Sequence, residues 1–164
     1  LKILRQKGGD VSYDDLRSVV GLGEAKIPVI LASLELARRY LLDSDQPIID
    51  SPEKAVELLI DIRDKKQEYF VCLTLDGANR LIAKRVVTIG TLTASLVHPR
   101  EVFADSIADR AASIIVAHNH PSGSLEASRA DKEVTNRLME AGKLLGITLN
   151  DHLIVTAQGY KSIL

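Results

Sequence analysis

Ser113-Ile114-Ile115-Val116-Ala117-His118-Asn119-His120-Pro121-Ser122-Gly123-Ser124-Leu125-Glu126-Ala127-Ser128-Arg129-Ala130-Asp131 changes its pattern abruptly, and that change decides how the chain is read. Ser113 to Ala117 reads as a short buried strand. Pro121, Ser122 and Gly123 then turn the chain, and Ser128 opens a helix with Val134, Leu138, Ala141 and Leu145 along one apolar stripe. A further strand-like run spans Ile147 to Thr156. Strand, helix and strand in this order point to an α/β architecture.

The two histidines stand where the strand ends. In an extended backbone, residues two apart project from the same face, so His118 and His120 can aim both imidazoles at one point. Asp131 lies in the first turn of the following helix, and a loop that returns over the strand end brings its carboxylate to the same point. Three protein ligands would leave a fourth position for water, the feature that separates catalytic from structural zinc. Imidazole and carboxylate donors suit zinc, although other divalent metals, iron among them, accept the same set. Ser128-Arg129-Ala130-Asp131 also reads as a helix capping box, with or without metal.

Working outward, Ser51-Pro52 starts a helix that runs to about Lys66 and has Ala55, Leu58, Leu59 and Ile62 as its buried stripe. Tyr69 to Leu75 and Leu81 to Ile89 read as two strands joined by the turn Asp76-Gly77-Ala78-Asn79, a hairpin. Pro99 to Ala112 reads as a helix. Helices alternating with strands predict an α/β sandwich over residues 44–164. The polar, proline-containing Asp43-Ser44-Asp45-Gln46-Pro47 marks a linker, with residues 1–43 forming a separate helical segment. In that segment Gly8-Gly9 and Gly21-Leu22-Gly23 are breakers, and Ser12-Tyr13-Asp14-Asp15 signals a helix start. Glu24 to Leu42 follows as an amphipathic helix over Ile27, Leu31, Leu34 and Ala37, with Pro28 tolerated in the first turn.

Composition excludes several function classes. The 164 residues, 46% of them hydrophobic, suffice for a core without disulfides or structural metal. Lys and Arg number 21 against 22 Asp and Glu, so neutralising nucleic-acid phosphates is not the expected main task. Cys72 is the single cysteine, which rules out an intrachain disulfide, a four-cysteine zinc site and the paired cysteines of a zinc deaminase, and favours a reducing cytoplasm. No uninterrupted apolar run reaches the roughly 20 residues of a membrane helix. The chain begins with Leu1, so an upstream segment is expected.

The pattern His-x-His, seven residues, Ser-x-x-Asp resembles the JAMM (MPN+) metalloprotease motif with no gap. The strings His118-Asn119-His120-Pro121-Ser122-Gly123, Glu140-Ala141-Gly142-Lys143-Leu144-Leu145-Gly146-Ile147 and Asp151-His152-Leu153-Ile154-Val155 resemble the RadC branch in particular. The resemblance implies an MPN-like α/β/α sandwich of cytidine-deaminase-like architecture, with His118, His120 and Asp131 on one zinc ion. It implies hydrolysis of a peptide or isopeptide bond by a metal-activated water, the substrate being a protein or peptide such as a ubiquitin-like conjugate. Glu68, at the start of the strand after the first helix, matches the family's general base, and Ser128 its oxyanion-stabilising hydroxyl. One hydroxyl proton cannot serve two acceptors, so that role is expected to compete with capping. Glu101 and Glu126 are the rival carboxylates, the first reading as helix surface and the second as loop.

Gly21-Leu22-Gly23-Glu24-Ala25-Lys26 resembles the second part of a helix-hairpin-helix element. Gly21, Gly23 and Lys26 are therefore the candidate nucleic-acid contacts, although a hairpin between packed helices needs such glycines for conformation alone. The alternative function is accordingly a DNA-associated accessory module in which the MPN domain is a protein-interaction scaffold. His152 reads as a structural histidine in an apolar strand, His98 as a loop or cap residue, and Cys72 as core rather than nucleophile.

Overall fold

The computed structural model describes residues 11–37, 46–90 and 97–164. Backbone contacts divide the chain into two units, one up to Asp45 and one from Gln46 onward. In the first, Ser12 caps helix α1 (Tyr13–Arg17) with a full capping box, Asp15 returning a hydrogen bond to the Ser12 backbone. Helix α2 (Lys26–Ala37) follows. Val11, Leu16 and Ile27 are buried together, with Leu22, Ile30, Leu31 and Leu34 packed against them. The Gly8-Gly9 break, the end of the helix expected to reach Leu42, and the linker residues Asp43 to Asp45 lie outside the described residues.

The second unit is built on one mixed sheet. Its elements are α3 (Pro52–Glu57), α4 (Ile60–Arg63), β1 (Tyr69–Leu75), β2 (Leu81–Ile89), α5 (Pro99–Ala108), β3 (Ser113–Asn119), α6 (Arg129–Leu145), β4 (Thr148–Thr156) and β5 (Gly159–Ser162). The strands lie in the order β2-β1-β3-β4-β5. Only β3 and β4 run parallel, as two strands joined by the crossover helix α6 must. The expected β1–β2 hairpin is present, and Asp76 shapes its turn by accepting from the backbone N–H groups of Ala78 and Arg80 at 2.8 and 2.9 Å.

Alternation along the strands sorts the side chains to two faces. Val71, Leu73, Leu75, Ile115, Ala117, Leu153 and Val155 pack with Ala55, Val56, Leu59 and Ile62 of the α3–α4 region. Phe70, Cys72, Ile114 and Val116 pack with Val102 and Phe103 of α5 and Val134 and Leu138 of α6. Helices cover both faces, and the expected α/β/α sandwich is the result.

Several local boundaries differ from the sequence reading. The first helix is two short ones, because Leu58 ends α3 and Leu59 starts α4 with a non-helical ψ of 9°; Val56 is buried where Leu58 is only partly so. Helix α5 stops at Ala108 rather than Ala112, and Arg110 takes a left-handed φ of 54° beyond it. Strand β3 continues through His118 to Asn119, and β5 was not anticipated. Leu145, assigned to the buried stripe of α6, is 47% exposed. Val134 and Leu138 are buried as expected and Ala141 packs against them; the buried line extends through Asp131, Thr135 and Gly142 rather than to Leu145. At Gly142 the helix comes so close to the next strand that an added Cβ would lie 2.4 Å from the Ile147 carbonyl oxygen.

Candidate metal centre

His118 closes the face of β3 that begins with Ile114 and Val116, so its imidazole points toward α6, as the two-residue period requires. Phe70 is its partner on β1 and stacks against it with ring centroids 6.3 Å apart. His120 lies just beyond the strand, yet its N–H still donates to Val155 O at 3.2 Å, which extends the pairing with β4 and keeps His120 on the same side as His118. Asp131 arrives from the first turn of α6. Ser128 N donates to Asp131 Oδ2 at 2.6 Å and Asp131 N donates to Ser128 Oγ at 3.1 Å, so the capping box that starts the helix also sets the carboxylate.

The three side chains meet. His118 Nε2 and His120 Nε2 are 3.0 Å apart, and the Asp131 oxygens lie 3.3 Å from the first and 3.6 Å from the second. A tetrahedral ion with bonds of about 2.0–2.1 Å holds its ligands about 3.3 Å from one another, so the cluster has the spacing that such an ion demands. It is the group of metal-ligating side chains found among the described residues. His118 is fully buried, Asp131 is 3% exposed, and the His120 side chain, at 11%, forms the outward side. His120 also lines a cavity of about 290 Å³ together with Arg63, Lys66 and Pro121.

Donors and acceptors agree with this reading. His120 Nδ1 lies 2.8 Å from the Ser124 carbonyl oxygen, which can only accept, so Nδ1 carries a ring proton and Nε2 is the nitrogen turned toward the cluster. Burial by itself would raise the pKa of Asp131. Contact with His118 and hydrogen bonds from the Ser128 side chain and backbone outweigh it and hold the carboxyl well below the usual carboxylate range. Behind His118, His152 Nε2 is 2.9 Å from His118 Nδ1, and His152 Nδ1 is 2.7 Å from Thr135 Oγ1. Burial, then the proximity of His118, bring the His152 pKa down to about 3, so this imidazole is neutral.

Glu68 stands outside the cluster of three. Continuing the Phe70–His118 register by two residues sets Glu68 level with His120. Its carbonyl accepts from Gly90 N at 2.8 Å, and the residue lines a cavity of about 380 Å³ with Pro121 and Ser122. Asn119, buried on the opposite face, fastens this segment. Its Nδ2 donates to the carbonyls of Lys65 and Gln67 at 3.1 and 3.0 Å, and its Oδ1 accepts from Tyr69 N at 2.7 Å.

Ser128 needs a correction. The cap uses a lone pair of its oxygen, not its proton, so the expected competition is not with capping; Ser128 instead contributes to the hydrogen bonds that lower Asp131. The rival carboxylates are engaged at the surface, Glu101 with Arg100 and Glu126 with Lys161, each at 3.0 Å. His98 caps α5, accepting from Arg100 N. Gly21, Gly23 and Lys26 are exposed in the first unit, where Gly21 takes a φ of 86° and Lys26 N donates to Gly23 O at 2.9 Å.

Sequence reasoning passed over Thr135 and Asn119 and set His152 aside. The signal for Thr135 and His152 was a polar residue on an otherwise apolar stripe or run, a position that a hydrogen-bond partner must justify.

A mixed five-stranded sheet with helices on both faces and a His-His-Asp cluster at the end of a central strand is the layout of a JAB-type domain. More particularly, residues 49–164 match the RadC-like JAB domain, and the chain belongs to that family. It is 48% identical over 157 residues to a UPF0758 protein of Methanospirillum hungatei, covering 93% of this chain and 70% of that one. A UPF0758 protein of Rubrobacter xylanophilus is 46% identical over 155 residues, covering 93% and 68% of the two chains. For the UPF0758 protein YsxA of Bacillus subtilis the figures are 45% over 157 residues, 94% and 68%. Among the described residues no helix is long and apolar enough to cross a membrane.

Proposed function

We propose that this protein is a metal-dependent hydrolase of the JAMM type, using one zinc ion on His118, His120 and Asp131 to cleave a peptide or isopeptide amide. The observation that carries the reading is the spacing of the three ligand atoms, 3.0 to 3.6 Å, in a pocket closed behind His118 and open beside His120. An ion there supplies Lewis acidity and lowers the pKa of water toward neutrality. Glu68, level with His120 in the continued β1–β3 register, would take a proton from the attacking water and return it to the departing amine, as a general base that becomes a general acid. Ser128 would donate to the developing oxyanion when its hydroxyl turns from Asp131. Asn119 keeps the Glu68 segment in place, and Asp131 and His120 are held by Ser128 and by the Ser124 carbonyl.

The substrate is proposed to be a protein or peptide, ubiquitin-like conjugates included, and a single buried cysteine fits a reducing cytoplasm. A role on DNA would belong to the surface around Gly21, Gly23 and Lys26, and its mark would be affinity that falls steeply with salt. The test is metal analysis of purified protein together with turnover of a fluorogenic isopeptide library. Wild type is expected to hold one zinc per chain and His118→Ala none. Glu68→Gln is expected to keep the metal and lose at least about 100-fold in rate. A wild-type protein that takes up no divalent metal defeats the reading.

A further inference from the structure

We infer that His152 and Thr135 are positioning residues for the metal centre, forming with the Asp131 backbone carbonyl a hydrogen-bonded chain that keeps the proton of His118 on Nδ1 and leaves its Nε2 free for the ion. The inference builds on the metal-site reading and adds two side chains that the ligand motif does not contain.

The chain is followed proton by proton. Thr135 has one hydroxyl proton, and it is donated to Asp131 O at 2.7 Å. Thr135 Oγ1 can then only accept from His152 Nδ1, which lies 2.7 Å away; His152 is fully buried with no carboxylate among the described residues against either ring nitrogen, so the ring holds one proton and it is on Nδ1. His152 Nε2 is consequently an acceptor, and its partner at 2.9 Å, His118 Nδ1, is the donor. One proton on His118 Nδ1 leaves a lone pair on Nε2. That lone pair faces Nε2 of His120 across 3.0 Å, with an Asp131 oxygen 3.3 Å away, the position an ion would share.

The opposite polarity withdraws the Thr135 hydroxyl from the Asp131 carbonyl and ends with a proton on His118 Nε2, which an ion would have to displace. The relay therefore biases the site toward its metal-ready form. Water cannot replace it, since His118 and His152 are fully buried and Thr135 is 4% exposed. Its origin is economical: Thr135 is one turn along from Asp131 on the same face of α6, so the helix that delivers the carboxylate also anchors the far end of the chain. His152 reaches this face because a register shift between Ile114 and Ile115 makes Ile115 pair with Asp151 and Val116 with His152. Partners that orient metal-bound histidines change metal affinity about 10- to 100-fold when removed.

The experiment is zinc affinity by chelator competition for wild type, Thr135→Val, Thr135→Ser and His152→Ala, with nitrogen NMR of the histidine rings in metal-free wild type. Thr135→Val keeps the side-chain volume but leaves the buried His152 N–H without its acceptor, so it is expected to fold with a lowered unfolding midpoint and to bind zinc about 10- to 100-fold more weakly. Serine restores the hydroxyl and is expected to restore affinity. His152→Ala is expected to weaken zinc at least as much. In wild type, His118 and His152 are expected to carry their protons on Nδ1. Wild type and Thr135→Val binding zinc equally would overturn the relay alone, and so would Nε2 protonation of both rings, a readout that needs no variant to fold. Absence of zinc binding by wild type would overturn the metal-site reading and the relay together.

Discussion

Asp131→Asn separates the two duties of one carboxylate. Asparagine keeps an oxygen to accept from Ser128 N, now 2.6 Å from Asp131 Oδ2, so the start of α6 survives, but the negative charge facing His118 and His120 is gone. Zinc at 100 times its dissociation constant stabilises the native state by about 2.7 kcal/mol. For the unit from Gln46 to Leu164, an unfolding entropy near 2.1 cal/mol/K per residue gives about 0.25 kcal/mol/K, so the melting temperature should rise by about 11 °C. Losing a charged ligand should weaken zinc by at least about 100-fold, the upper range for losing a mere orienting partner. At the same free zinc the variant then gains only about 0.4 kcal/mol, a rise below about 2 °C. The assay is thermal unfolding of chelator-treated protein at rising free zinc, followed by circular dichroism. Equal zinc-induced shifts in wild type and variant would refute the assignment of Asp131 to the ion.

Three further outcomes follow from the same structure. Burial pushes the Cys72 thiol up to about 12, so at pH 8 dithionitrobenzoate should label it only as fast as the protein opens, and in urea at once; rapid labelling of native protein contradicts the buried environment. The Arg85 hydrogen bonds, joined by Thr74, hold the Asp109 carboxyl below its ordinary value, so this stabilisation is complete above the unfolded-state pKa near 3.9 and is lost as pH falls through the lower folded one. Urea unfolding should show the advantage of wild type over Asp109→Asn shrinking below about pH 4, and a gap constant down to pH 2 would rule this out. Gly142→Ala should destabilise by about 1–3 kcal/mol, because the new methyl meets the Ile147 carbonyl at 2.4 Å; a gain of up to about 1 kcal/mol, the usual effect in an open helix, would show that the contact yields.

Most of the candidate site was legible before the fold, because its parts are local. The alternation of β3 sets His118 and His120 on one side, and the capping spacing from Ser128 to Asp131 serves the helix and the cluster alike. Glu68 was legible as to element, not as to distance, since its approach depends on the pairing of β1 with β3 and on the Asn119 amide between them. The break at Leu58–Leu59 and the early end of α5 carry no proline or glycine to mark them in the sequence.

By itself, then, the sequence determined the order of β1 to β4 and of the helical segments between them, the capped start of α6 and the three residues that can share an ion, all of which follow from short-range periodicity and spacing. Tertiary structure alone decided that His152, thirty-four residues from His118, stands behind it, and that Thr135 closes the chain. The physical reason is that a one-residue shift in the β3–β4 pairing moves every following side chain of β4 to the other face. No short-range pattern records such a shift.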